Sequence, residues 1–131
     1  MNHSVKTASI TLFFISTLFS GNIEKDLQTQ FILAEPGDTI TIPKGVHHIR
    51  GTLSIEGIDK NIVLEKFTVQ DSKGDAIKAQ YVDGIVFRSV KTEWTGGPKE
   101  TNGAYGLYPI QCTNVLIEFS VAIGASDAGI I

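Results

Sequence analysis

Residues 61–70 (NIVLEKFTVQ), 84–93 (GIVFRSVKTE) and 114–123 (NVLIEFSVAI) are one unit written three times. The first two copies are offset by 23 residues, and the same offset separates Leu107 from Ile130. Between Gly84 and Asn114, as between Ile77 and Leu107, the offset is 30, which places a seven-residue insertion between Thr92 and Leu107. A period in the low twenties with strand-like alternation is the signature of a stacked-repeat architecture.

Five inward ladders follow from the alignment: Ile62/Ile85/Val115, Leu64/Phe87/Ile117, Phe67/Val90/Ser120, Val69/Thr92/Ala122 and Ile77/Leu107/Ile130. Within a copy the first two positions lie two apart, as do the next two, the period with which side chains alternate across a strand. Lys66, Ser89 and Phe119 fall between these pairs and predict a bend joining two short strands. The expected fold is all-β, a parallel β-helix of about four coils, each strand pairing with its counterpart one coil along at ~4.8 Å. Stacking like on like buries a core that no single coil could close. Ala76, Gly106 and Gly129 align one step before the last ladder, where a small residue permits close backbone approach. Glu65, Arg88 and Glu118 point outward with alternating sign and read as a solvated face, its pairs worth ~0–1 kcal/mol each.

Upstream, Lys6 is followed by an uncharged run from Ala8 to Phe19. That run falls short of the ~20 residues needed to span a bilayer and fits the apolar region of a secretory signal. Residues 1–21 are therefore expected to be a signal peptide, and the protein to be exported, periplasmic or extracellular, with no transmembrane helix after its removal. Residues 22–34 mix charge with Leu27, Phe31, Ile32 and Leu33 and predict a capping segment over the first coil. Residues 35–131 form the β-helix domain, and its stop in mid-repeat at Ile131 reads as the N-terminal portion of a longer protein. In its first coil, Pro36-Gly37-Asp38 and Pro43-Lys44-Gly45 are turns flanking the alternating Ile40 and Ile42. Short strands follow over 46–50 and 52–55, and the chain passes into Asn61 through only Ile58-Asp59-Lys60, where a further coil would stand in a longer stack.

The net charge of −3 with scattered basic residues offers nothing to nucleic acid. Cys112, the single cysteine, is expected to be a buried and inert thiol.

The run AEPGDTITIPKG (34–45) resembles the opening coil of exported right-handed parallel β-helix proteins of the pectate-lyase-like superfamily. The runs VQDSKGDAIKA (69–79), VKTEWTGGPKETNGAYGLYPIQCTNVLIE (90–118) and SVAIGASDAGI (120–130) are similar to a bacterial family of right-handed β-helix repeat proteins. The resemblance covers nearly all of residues 33–131. It implies a right-handed helix and, from relatives such as pectate lyases, polygalacturonases and alginate epimerases, an acidic polysaccharide as partner. The Asp-Pro-His signature associated with alginate epimerases is absent, and Phe119 stands where the family pattern favours a polar residue.

Candidate site residues gather at the insertion, since loops on a rigid scaffold carry function disproportionately. Trp94, Lys99, Tyr105 and Tyr108 form a candidate substrate-binding group, because aromatic faces stack on sugar rings. The plainer role for Trp94 is to pack the loop onto its scaffold. Asp71, Asp75, Glu93 and Asp127 align on one side of the stack. They could hold Ca²⁺, which takes six to eight oxygens, or act as acid and base; turn chemistry explains the same aspartates more simply. Elimination chemistry, as the resemblance implies it, needs a base, for which Lys73, Lys78, Lys99 and Tyr105 are available. His47 and His48 sit on the first coil, away from this group. Two functions are therefore expected: a noncatalytic polysaccharide-binding or scaffold module, or the N-terminal part of a polysaccharide lyase or uronate epimerase. An uncapped last coil exposes core and strand edges and favours self-association.

Overall fold

The computed structural model describes residues 22–36, 38–40, 42–57 and 59–131; the expected leader, 1–21, lies outside the described residues. The chain begins with helix α1 (Ile23–Leu33) and continues through β1 (Val46–His48), β2 (Leu53–Glu56), β3 (Asp59–Gln70) and β4 (Ile77–Gln80). There follow β5 (Asp83–Glu93), β6 (Tyr105–Ile110), β7 (Thr113–Glu118), β8 (Val121–Ile123) and β9 (Ala128–Ile130). The structure is mostly β, in two parallel sheets. One has the order β1-β3-β5-β7, with β8 also on β5; the other has the order β2-β4-β6-β9. The chain alternates between the sheets and returns to each one strand further along.

The register follows the sequence ladders. Ile62 pairs with Ile85 and Ile85 with Val115, while Leu64 pairs with Phe87 and Phe87 with Ile117. Phe67 pairs with Val90, and Val69 with Thr92, which pairs in turn with Ala122. Ile77 pairs with Leu107 and Leu107 with Ile130 in the second sheet. Ile62, Leu64, Ile77, Ile85, Phe87 and Leu107 are fully buried, each contributing roughly 1.5–3 kcal/mol of apolar burial.

The expected bends take a definite form. Lys66, Ser89 and Phe119 have φ of 62°, 55° and 52°. This left-handed conformation costs a non-glycine residue ~1–2 kcal/mol, and it turns the chain between two strand segments without breaking register. Asn61, Gly84 and Asn114 form a second left-handed line, with φ of 65°, 86° and 53°. Asparagine and glycine are the residues that tolerate this region best. Gly57, Tyr81 and Gln111 form a third.

The short passage into Asn61 is matched at the start of the stack. Thr39 bridges to Val63, Val46–His48 pair with Thr68–Gln70, and Leu53–Glu56 pair with Ile77–Gln80. The first repeat thus lies directly on the second, and no further coil intervenes before Asn61. The passage is short because β3 already begins at Asp59.

Helix α1 closes this end. Asn22 caps it by accepting a hydrogen bond from the Lys25 amide at 3.1 Å, and Leu27 and Phe31 are buried in the core. The Glu24 carboxylate accepts from the amides of Arg50 and Gly51 at 3.0 and 3.1 Å, and the Gln28 side chain accepts from Ser54 at 3.0 Å. Residues four apart on a helix share a face, so Glu24 and Gln28 together satisfy donors that the first repeat turns away from its neighbour. Ile32 and Leu33, grouped with the apolar side in the sequence, are instead exposed.

Replacing Phe87 by alanine is expected to cost ~3–5 kcal/mol as a core cavity. Glu24→Ala should cost ~1–3 kcal/mol by leaving two amides without a partner. Denaturant unfolding checks both, and a Phe87→Ala midpoint equal to wild type would contradict the central position of that ladder.

Candidate functional site

The insertion leaves the first sheet at Glu93 and re-enters the second at Tyr105, so residues 94–104 form a loop. Its fastening is extensive. Trp94 is only 5% exposed, and its indole N–H donates to the Ser72 carbonyl at 2.7 Å. Thr95 donates from both amide and hydroxyl to the two Asp71 oxygens, each at 2.8 Å. The Asn102 side chain donates to the carbonyls of Gly97 and Gly124 at 2.9 and 2.7 Å. At Gly103 a Cβ would lie 1.9 Å from the Gly74 carbonyl oxygen and 2.9 Å from the Trp94 ring, so the loop returns through a gap that admits glycine alone.

These contacts divide the predicted substrate-binding group. Trp94 anchors the loop, the plainer of its two expected roles, and presents no free face. Lys99 is exposed and stays within the loop, its ammonium beside Gly96. Tyr105 and Tyr108 are brought together, with ring centroids 4.4 Å apart and planes inclined at 43°. Lys78, in register with Tyr108 one strand back, places its ammonium 5.9 Å from the Tyr108 ring centroid, within reach of a cation–π attraction. Lys78 had been singled out in the sequence merely as an available base. The alignment of Ile77 with Leu107 was the signal that seats it beside Tyr108.

The four predicted metal ligands are not brought together. Among the described residues no three His, Cys, Asp or Glu side chains form a group that could hold a metal ion such as Ca²⁺. Each carboxylate has a local partner instead. Asp71 holds the Thr95 turn, and the Thr95 amide and hydroxyl lower its pKa below the ordinary 3.8. Glu93 accepts from Lys91 at 2.7 Å and from Gln70 at 2.6 Å, and these two donors lower its pKa. Asp75 accepts the Tyr105 amide at 3.1 Å. The Asp127 carboxylate, through hydrogen bonding and charge, pushes the Tyr105 phenol's pKa above its ordinary 10.0.

His47 bonds the Pro43 carbonyl at 2.6 Å, and His48 lines a cleft with Asn22, Glu24 and Arg50 at the helix end of the stack. Cys112 is half-buried, its thiol 3.4 Å from the carbonyls of Ala79 and Ile110.

Among the described residues the surface that combines aromatic faces, a cation and oriented acceptors is thus built from Lys78, Tyr105, Tyr108, Asp75 and Asp127. Among the described residues no helix is long and apolar enough to cross a membrane. No family model, no curated protein and no solved structure matches the chain.

The Asp71 carboxylate yields a signed pH dependence. A group whose pKa is lowered in the folded state contributes its full stability above its unfolded value and loses it as pH falls through the lowered one. Fluorescence of Trp94, the single tryptophan, should therefore report loosening of the loop on acidification below 3.8, the ordinary value for Asp71. Asp71→Asn should flatten that step, and an unaltered step in the variant would assign it elsewhere.

Proposed function

We propose that this chain is an exported module of the right-handed parallel β-helix type that binds acidic polysaccharide without itself cleaving it. The fold reading is supported by the two parallel sheets, by register lines that repeat every 23 to 30 residues, and by the right-handedness of nearly all parallel crossovers. The run 34–45 and its likeness to pectate-lyase-like proteins support the substrate class.

The observation that carries the binding reading is the pair Tyr105 and Tyr108 with Lys78 against it. Sugar C–H groups pack on aromatic faces, and a protein site adds a few polar groups to fix orientation. Here Lys78, beside the Tyr108 ring, supplies the charge for a uronate carboxylate. A scaffold role draws on the same rigid stack and needs no ligand.

Affinity electrophoresis through gels containing polygalacturonate or alginate tests the reading. Retardation is expected, and Tyr108→Ala or Lys78→Ala should weaken it about tenfold, ~1.4 kcal/mol. Unretarded migration in both polymers would leave the scaffold role. Growth of ultraviolet absorbance from an unsaturated uronate would establish a lyase instead.

A further inference from the structure

Near its end the insertion loop carries Asn102-Gly103, and no other asparagine of the chain is followed by glycine. Asn2, Asn22, Asn61 and Asn114 precede His3, Ile23, Ile62 and Val115. The difference is chemical. The carbonyl carbon of an asparagine side chain is open to attack by the main-chain nitrogen of the residue that follows. Glycine, with no Cβ, lets that nitrogen swing onto the carbonyl most freely, whereas a β-branched neighbour is stiff and crowds it.

The docked loop holds this pair in a way that opposes the attack. Asn102 is half-buried, and its side-chain nitrogen donates to the carbonyls of Gly97, within the loop, and Gly124, in the next repeat. Its main-chain amide donates to the Lys99 carbonyl at 3.0 Å. Gly103 is buried, hemmed in by the Gly74 carbonyl and the Trp94 ring. Ring closure needs the side chain to turn away from both carbonyls, and the main chain at Gly103 to rotate where there is no room.

We propose that Asn102 is a self-modification site gated by this loop: intact while the loop is docked, converted to aspartate or isoaspartate once it opens, and thereafter unable to dock as before. Water is the only co-reactant. The Gly103 nitrogen loses its proton and bonds to the Asn102 side-chain carbonyl carbon, and the side-chain amide leaves as ammonia. Water then opens either carbonyl of the cyclic imide. Neither product fits the docked loop. An ionised carboxylate only accepts hydrogen bonds, so it would face the Gly97 and Gly124 carbonyls with no hydrogen to offer. Isoaspartate adds a carbon to the main chain beside Gly103, where not even a Cβ is accommodated.

Peptide mapping by mass spectrometry decides the matter, on the full chain aged in mildly alkaline buffer with and without denaturant. In denaturant the mass gain of amide-to-acid exchange should accumulate at Asn102 ahead of Asn61 and Asn114. In the native chain it should be slower by about tenfold or more, because a reaction that needs local opening follows the small open population. Asp71→Ala, which frees the Thr95 turn without touching Asn102, should speed the native reaction. Should that variant not fold, Thr95→Val removes one of the same bonds and should act in the same sense. Asn102→Asp, or aged wild type separated by its added negative charge, should leave Trp94 more open to acrylamide quenching. Equal rates with and without denaturant, a native rate indifferent to release of the Thr95 turn, or a Trp94 as shielded in Asn102→Asp as in wild type would each overturn the proposal.

Discussion

In-register stacking of equivalent residues on parallel strands is the constraint on which everything else in this structure depends. A parallel pair places residue over residue with evenly spaced hydrogen bonds, so a position that is apolar in one repeat must be apolar, or at least small, in the next. The ladder from Val69 through Thr92 to Ala122 shows the tolerance of this rule, and Ile62 over Ile85 its strict form. The corners obey it as well. Lys66, Ser89 and Phe119 share a left-handed backbone although their side chains have nothing in common. What is held constant there is the path of the chain. The side chain is free because it points to solvent.

The same constraint builds the candidate site and keeps it rigid. Lys78 lies beside Tyr108 because Ile77 lies on Leu107 in the core, one residue inward in each strand. The insertion loop is tied at both margins, by Trp94 to Ser72 and by Asn102 to Gly124, so it reaches both the preceding and the following repeat. Its acids serve the backbone and neighbouring side chains, and the chemistry left for a ligand is aromatic and cationic.

Much of the fold was legible in the sequence, since a period, an insertion length and a set of ladders are arithmetic on residue types. The bends at 66, 89 and 119 were legible too, as breaks in alternation. The extent of β3 was less legible, because a strand of 12 residues spanning a left-handed corner reads in sequence as two. The helix Ile23–Leu33 lies inside the stretch read as a cap, but its hydrogen bonds were not visible, because Glu24 and Gln28 act on amides some 26 residues away. The site was the least legible part. Alignment put Asp71, Asp75, Glu93 and Asp127 on one side of the stack, yet side-chain direction and local donors decide whether carboxylates converge, and here every one is drawn to a near neighbour. For Trp94 the sequence left packing and ligand stacking side by side, and the buried bond from its N–H to the Ser72 carbonyl decides for packing.

The seven-residue insertion also bears on how the chain finds this structure. Each strand pairs with one that lies 22 to 30 residues away, and the insertion lengthens that separation from 23 to 30 at a single joint. Loop-closure entropy grows as the logarithm of loop length, so the longer joint costs about 0.2 kcal/mol more to close. Every strand pairing therefore faces nearly the same entropic barrier. Folding on such a chain spreads from whichever pair forms first to the next one along, as a zipper does, and the β3–β5 pair, the longest, is the natural place for it to begin.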